Sequence, residues 1–202
     1  MKWFSVLGTV MVLAICSAFT ASASASASAV FCDTAASPCP SGHAYAPGTP
    51  LTSKVSLVYG MKITSPLLPL MTCGNGKADG TITSSGVQFT AFSLSCSSSF
   101  DICNVEGRNL PWTSVLSAGT AGNGTLTISS ARLNFACSQS PPCEVEATGI
   151  PLGVTGTSTR VALLKIAATF APVPNKCSAS DSKKLEGAFE ITAPKPLYVE
   201  TQ

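Results

Sequence analysis

Charged side chains are scarce in this chain. Asp, Glu, Lys and Arg make up only 11% of its 202 residues, and 12 basic against 10 acidic residues leave a formal net charge of +2. Nucleic acids and anionic lipid surfaces are bound by clustered Lys and Arg, which this composition does not supply. The sequence therefore predicts no nucleic-acid partner.

Residues suited to acid–base and metal chemistry are equally few. His43 is the only histidine; no carboxylate or cysteine adjoins it in the sequence, so it is expected to be a surface-loop residue. Residues 115–119 lack the first glycine of a nucleophile elbow, and no phosphate-binding glycine loop occurs. The sequence predicts no catalytic residue, no cofactor and no metal site, and hence a protein that is not an enzyme.

Long apolar runs are absent beyond the N-terminus, so no later segment is long enough to span a bilayer. At the N-terminus, Lys2 precedes an apolar run at 3–15 and an alternating Ala/Ser tract that ends at Ala29. This order predicts a secretory signal peptide over residues 1–29, although every Ala of the tract satisfies the same cleavage rule. A lipoprotein signal at Cys16 is the alternative, which bulky Ile15 disfavours. The protein is expected to be secreted or extracellular, and cell-surface association is compatible with the sequence.

Cysteine is well represented in the part that follows the signal. The eight remaining cysteines are Cys32, Cys39, Cys73, Cys96, Cys103, Cys137, Cys143 and Cys177. An even number in an exported chain predicts four disulfides rather than metal ligands. Residues 30–202 are about the size of one domain, so a single disulfide-bonded domain is expected.

One motif occurs twice. In each copy a strand ends in cysteine, a short polar loop follows, and a second cysteine opens a strand that reads polar-Val-Glu. The first copy spans 92–112 and the second 133–152. Each copy is typical of a β-hairpin with a cysteine on either side of its tip, and the Ala-Gly-Asn-Gly segment at 121–124 predicts a turn between the copies.

Alternation of apolar and polar residues predicts the strands. From Lys54 to Ile63 apolar residues, among them Leu57 and Tyr59, fall on every second position, which indicates one half-buried strand. The parity changes within 87–96, which predicts a bulge near Ala91. It also changes near 129–131, where a bulge and a break between strands both fit. The pattern predicts an all-β fold of roughly eight to ten short strands, either a Greek-key sandwich or a partly closed barrel with four disulfides.

The repeat also predicts how the cysteines pair. Alternation puts the two cysteines of each hairpin on one face, so each hairpin is bridged at its tip. A third bridge closes the short N-terminal loop, and the last two cysteines pair by elimination. The predicted disulfides are Cys96–Cys103, Cys137–Cys143, Cys32–Cys39 and Cys73–Cys177.

Three glutamates near the hairpins suggest a paired-carboxylate site at first sight. Glu106 and Glu146 occupy equivalent places in the two copies, but the neighbouring valines share the cysteine face. Both glutamates, with Glu144, are therefore predicted to point outward, with Arg108 and Arg132 as partners. Trp112, which Leu replaces in the second copy, is predicted to be a core residue.

Several segments together resemble a group of uncharacterised secreted proteins of actinobacteria. They are Phe31-Cys32 through Cys39-Pro40, the pair 133–137 and 143–146, and the closing segment 195–199. The resemblance covers most of the chain that follows the signal. It implies an exported, disulfide-bonded, mostly β protein, and it implies no activity and no site residues.

The expected function is that of a secreted or cell-surface β-domain acting as a non-catalytic binding or structural module. The ligand is left open, and cell wall or glycan is the partner most compatible with this location. One alternative is an extracellular enzyme that acts on glycans through Asp and Glu carboxylates converging in a cleft. Another is a carrier that binds a small apolar ligand between sheets or in a barrel mouth.

Overall fold

The computed structural model describes residues 28–67, 69–156 and 161–202. Strands dominate the described part, and no helix that could cross a bilayer occurs in it. The strands are β1 (Ala29–Cys32), β2 (Pro50–Val55), β3 (Met61–Thr64), β4 (Met71–Ile82), β5 (Val87–Ser97), β6 (Ile102–Arg108), β7 (Trp112–Ala118), β8 (Gly124–Cys137), β9 (Cys143–Thr155), β10 (Leu163–Pro172), β11 (Lys183–Ala193) and β12 (Tyr198–Thr201). The all-β prediction is confirmed.

Ten of these strands close into an antiparallel barrel. Strands β2 and β3 lie end to end between β4 and β11, and β6 and β7 lie end to end between β5 and β8. The barrel therefore has eight strand positions, and each position is adjacent to the next along the chain. Of the two predicted architectures the structure is a barrel, closed and wound as a meander rather than in Greek-key order.

Apolar side chains fill the barrel, as expected for eight strand positions, whose interior is just wide enough for side chains. A void of about 20 Å³ remains inside, lined only by apolar residues such as Phe89, Phe92 and Trp112. Such a volume holds about one water molecule, far less than the roughly 300 Å³ at which ligand pockets begin. The interior is thus a packed core.

The predicted bulge on β5 is confirmed. Asp79 pairs with Ala91 and Gly80 with Phe89, so Thr90 is an extra residue in β5. Apolar side chains on both sides of the bulge are buried, including Phe89 and Phe92. On β8, Ser129 and Ser130 are both exposed and the strand continues through them, so the change of parity there is a switch within one strand and not a break.

The strand predicted from Lys54 to Ile63 is wrong in its middle. Residues 57–60 leave the barrel wall between β2 and β3, and Leu57 and Tyr59 are exposed. The wall closes beneath this excursion, because the N–H of Ser56 donates to Ala188 O and the N–H of Ala188 donates to Gly60 O. Gly60 has a φ of +61°, which glycine adopts without a steric penalty. Alternation cannot reveal this excursion, because it contains four residues. An even number leaves the buried positions of β2 and β3 in the same alternation, as if the two strands were one.

Strands β1 and β12 form a separate ribbon over one end of the barrel. Phe31 and Val199 of this ribbon, and Leu197 just before β12, belong to the buried core. The ribbon packs closely on the β7–β8 turn: the N–H of Val199 donates to Gly122 O, and a Cβ on Gly124 would lie 2.5 Å from Val199 Cγ1. The predicted signal peptide, residues 1–29, lies outside the described residues except for its last two, of which Ala29 is the first residue of β1.

Four disulfides are present, and only one of the predicted pairs is among them. Cys32–Cys39 is confirmed. The predicted pairs Cys96–Cys103, Cys137–Cys143 and Cys73–Cys177 are wrong. The bridges that replace them are Cys73–Cys96, Cys103–Cys137 and Cys143–Cys177.

Both predicted hairpins are present, β5–β6 and β8–β9, but their tips are bridged to neighbouring strands. Directly opposed residues of an antiparallel pair alternate between a wide, hydrogen-bonded spacing and a narrow spacing that suits a disulfide. At the tip of β5–β6 the N–H of Ser98 donates to Asp101 O, so these two residues form a wide, hydrogen-bonded pair. The wide spacing recurs every second residue, and Cys96 and Cys103, two residues away on each strand, are therefore also a wide pair. In β8–β9 the residue opposite Cys143 is Phe135, so Cys137 lies out of register.

Candidate functional site

The barrel end opposite the ribbon is open, and we call it the mouth. It is formed by the described parts of the loops that join the strands at that end, namely 65–67, 69–70, 98–101, 138–142 and 173–182. A pocket of about 500 Å³ lies in it, within the range of small-molecule sites. Its lining includes Leu67, Phe135, Ser140, Pro141, Pro142, Cys143, Asn175, Lys176, Cys177, Ser178, Asp181 and Lys183.

A fully buried lysine forms part of the pocket floor. The side chain of Lys183 is 1% exposed, at the first position of β11, where its parity matches that of buried Leu185. Lysine is almost never buried to this extent unless it is paired. Its partner is Asp181, two residues earlier, whose carboxylate Oδ1 contacts Nζ directly.

Two oxygen acceptors and one aromatic ring surround this ammonium. They are Asp181 Oδ1, the Ser65 hydroxyl oxygen at 3.3 Å and the ring of Phe135, whose centroid is 5.6 Å away. The Ser65 hydroxyl itself donates to Asp181 Oδ1 at 2.6 Å. Asp181 Oδ1 and Ser65 Oγ therefore take two of the three N–H donors of Lys183.

Asp181 keeps one free oxygen. Its Oδ2 lies 3.7 Å from Sγ of Cys143, but this sulfur is in a disulfide and has no proton to donate. Among the residues that the structure describes, no other group donates to Oδ2. The side chain of Asp181 is 14% exposed, so an acceptor with unused lone pairs borders the pocket.

The loop that carries Asp181 is fixed to the barrel wall at two points. The N–H of Val173 donates to Glu144 O at the start of the loop, and the Cys143–Cys177 bridge joins its middle to β9. Near its end, the N–H of Asp181 donates to Ser178 O. The disulfide thus helps to hold the carboxylate over Lys183.

A second carboxylate at the mouth has a structural role. Asp101, at the tip of β5–β6, accepts hydrogen bonds from the Ser138 hydroxyl at 2.7 Å and from the N–H of Gln139 at 3.1 Å. The hydrogen bond from Ser138 is the main cause that lowers the pKa of Asp101. Two cysteine sulfurs lie within 4.8 Å, but both form the Cys103–Cys137 disulfide and cannot bind a metal as thiolates. Asp101 joins two hairpin tips.

The three glutamates point outward as predicted. Arg132 Nη2 lies 2.8 Å from Glu146 and Nη1 lies 3.8 Å from Glu144, while Arg108 lies 3.9 Å from Glu106. The predicted arginine partners are therefore confirmed. Because Arg108 and Arg132 engage these carboxylates on the outer face of the barrel wall, the three glutamates do not support a paired-carboxylate glycosidase site.

Two further residues singled out in the sequence lie away from the mouth. Trp112 is 5% exposed and donates its Nε1–H to Arg108 O at 2.7 Å, so its prediction as a core residue is confirmed. His43 is exposed as predicted, but it does have a carboxylate neighbour, since Nδ1 lies 2.7 Å from Asp33 Oδ1. The cause is the β-bridge between Cys32 and Ala44, which brings residues ten apart side by side.

Sequence reasoning missed the Lys183–Asp181–Ser65 cluster. One signal could have found it: Lys183 lies two residues before Leu185 and therefore on the inward parity of its strand. Ser65 and Asp181 lie in loops, where alternation gives no direction. Only the closed barrel brings them to the same end.

Comparisons with protein-family models, with curated proteins and with solved structures found no match for this chain. Its function is therefore inferred from the geometry of the mouth.

Proposed function

We propose that this protein is a secreted or cell-surface module that binds a small ligand in the mouth of its barrel, without catalysis. The observation that carries the proposal is the buried Lys183–Asp181 pair at the floor of a pocket of about 500 Å³. A buried ion pair is weak evidence for stability, because apolar residues of similar volume often stabilise a fold equally well. Its place at the floor of a pocket, rather than deep in the core, favours a role in recognition.

Export is part of the proposal. Four intramolecular disulfides are consistent with an extracellular location, and the N-terminal sequence is typical of a secretory signal. One of these bridges, Cys143–Cys177, anchors the loop that bears Asp181. Such pre-organisation reduces the entropy lost on binding.

An apolar carrier that holds its ligand inside the barrel is not supported, because the interior void is about 20 Å³. A serine–lysine hydrolase receives some support, since Ser65 Oγ lies 3.3 Å from Lys183 Nζ. Against it, the Ser65 hydroxyl donates its proton to Asp181 Oδ1 and accepts from Lys183 Nζ, so its proton is not directed at the lysine. A fluorophosphonate probe is therefore expected to leave Ser65 unlabelled.

The proposal is tested by screening a library of neutral, cationic and anionic small molecules against the purified exported protein. Binding is followed by the backbone amide chemical shifts. We expect hits that shift residues of the loops 138–142 and 173–182. The variant Ser178→Trp, which fills the mouth, should lose these hits, and the matched variant Ser84→Trp, on an exposed turn at the ribbon end, should keep them. Hits confined to other surfaces, or hits that survive in Ser178→Trp, would show the proposal to be wrong.

A further inference from the structure

The chemistry of the mouth restricts the class of ligand, and this inference rests on the proposed function. An anion at the floor would need free donors, but Lys183 Nζ already contacts Asp181 Oδ1 and Ser65 Oγ, and the Asp181 carboxylate would repel a negative charge. The lysine therefore supports Asp181 instead of serving a bound anion. What the floor offers a ligand is an acceptor, Oδ2 of Asp181.

Charge counts against a cationic ligand as well. The charged residues that line the described pocket are Lys176, Asp181 and Lys183. The opposite charges of Lys183 and Asp181 cancel, and the charge of Lys176 at the rim leaves the site with a net positive charge. A ligand ammonium would meet this field, whereas a neutral hydroxyl would donate to Oδ2 without that cost.

The walls suit a ligand with both polar and apolar faces. Leu67, Pro141 and Pro142 supply apolar surface, while Ser140, Ser178 and Asn175 supply hydroxyl and amide groups that both donate and accept. A ring that carries hydroxyl groups and also has C–H faces matches this mixture. A purely apolar molecule would leave Asp181 Oδ2 without water and without a donor, which is unfavourable.

We propose that the mouth binds a neutral, hydroxyl-bearing ring compound of the size of a single sugar residue, and that Asp181 Oδ2 accepts a hydrogen bond from one of its hydroxyl groups. Lys183 acts as a positioning residue. It orients the carboxylate by occupying Oδ1, which leaves Oδ2 for the ligand.

The test uses sugars that share one ring and differ in charge. Neutral glucose, galactose, mannose and N-acetylglucosamine are compared with cationic glucosamine and anionic glucuronate, with dissociation constants taken from amide shifts at the mouth. We expect at least one neutral sugar to bind about tenfold more tightly than either charged counterpart, because Lys176 repels the ammonium and Asp181 repels the carboxylate.

Variants separate the role of Asp181 from folding. Asp181→Asn should weaken binding of the neutral sugar about tenfold. Because that change leaves Lys183 without its partner, the double variant Lys183→Met/Asp181→Leu, which removes both charges, provides a folded test and should bind equally weakly. The control is Lys184→Met/Glu186→Leu, which removes the 2.7 Å exposed pair on the outer face of the same strand and should bind normally.

The outcomes distinguish this inference from the proposed function. If glucosamine or glucuronate binds at the mouth more tightly than every neutral sugar, the ligand class is wrong while the binding function stands. If the double variant binds neutral sugars as tightly as the parent, the role of Asp181 is wrong. If no compound of any class shifts mouth residues, both proposals fail together.

Discussion

Cys103 and Cys137 face each other directly across strands β6 and β8, with their Cα atoms 4.0 Å apart. The neighbouring pair along the same row, Cys96 and Cys103, is also directly opposed, but across the wide, hydrogen-bonded spacing of β5–β6. Cys73, Cys96, Cys103 and Cys137 thus form one row round the inside of the mouth end. Disulfides join the neighbours of this row that face each other across a narrow spacing, and none joins the pair that is separated by the wide spacing.

This pairing predicts the products of a tryptic digest without reduction. Cleavage after Lys and Arg places Cys73 in peptide 63–77, Cys96 and Cys103 in 78–108, Cys137 and Cys143 in 133–160 and Cys177 in 177–183. The three bridges Cys73–Cys96, Cys103–Cys137 and Cys143–Cys177 join all four peptides into one species. Mass spectrometry should detect that species, whereas a free 78–108 peptide with an internal bridge would contradict the structure.

Removing a disulfide should lower the free energy of unfolding more when the loop that it closes is longer. The Cys143–Cys177 loop has a sequence separation of 34 and the Cys32–Cys39 loop one of 7. Chain entropy gives about 3.8 and about 2.4 kcal/mol for them. The variant Cys143→Ser/Cys177→Ser should therefore lose more free energy of unfolding in urea than Cys32→Ser/Cys39→Ser. Equal losses would show that strain or denatured-state structure outweighs loop length here.

A double-mutant cycle tests the buried ion pair. Lys183→Met leaves Asp181 without its cation, and Asp181→Leu leaves the ammonium buried without its anion, so each should cost about 3–5 kcal/mol. The double variant, with apolar side chains of similar size, should recover most of that loss. The free energy of unfolding in urea is measured for the parent, the two single variants and the double variant. If the losses of the single variants add up in the double variant, the two side chains do not interact.

Asp101 should make stability depend on acid pH. Because the Ser138 hydrogen bond lowers the folded-state pKa, the unfolded chain binds more protons between the two pKa values. The contribution of Asp101 is complete above the unfolded pKa, about 3.9, and is lost as pH falls through the folded value. The difference in unfolding free energy between the parent and Asp101→Asn should therefore shrink below about pH 4. A difference that stays constant down to about pH 2 would contradict this prediction.

The sequence predicts the barrel wall well, because alternation records which residues face the core. It predicts the bulge near Ala91, the outward glutamates and the burial of Trp112, and all three are confirmed. Alternation gives the face of a strand but not the neighbour to which a side chain bonds. For this reason it puts Cys96 and Cys103 on the correct face and still pairs them wrongly.

The candidate site could be predicted only in part. Lys183 has the parity of a buried residue, but its charge argues for the surface, and the two signals conflict until Asp181 is known to lie beside it. Ser65 and Asp181 are 116 residues apart in sequence and meet only because β3 and β11 pair. Contacts between loops depend on closure of the whole barrel, which no local pattern encodes.

The bridges join the eight cysteines from Cys32 to Cys177 in strict succession along the chain: first to second, third to fourth, fifth to sixth and seventh to eighth. A chain that crosses a membrane from its N-terminus delivers its cysteines to an oxidant in the same order. In a chain exported in this way, each newly arrived pair can close before the next one appears, and the slow reshuffling that interleaved bridges require is not needed. In this barrel, the order in which the cysteines would emerge is also the order in which they pair.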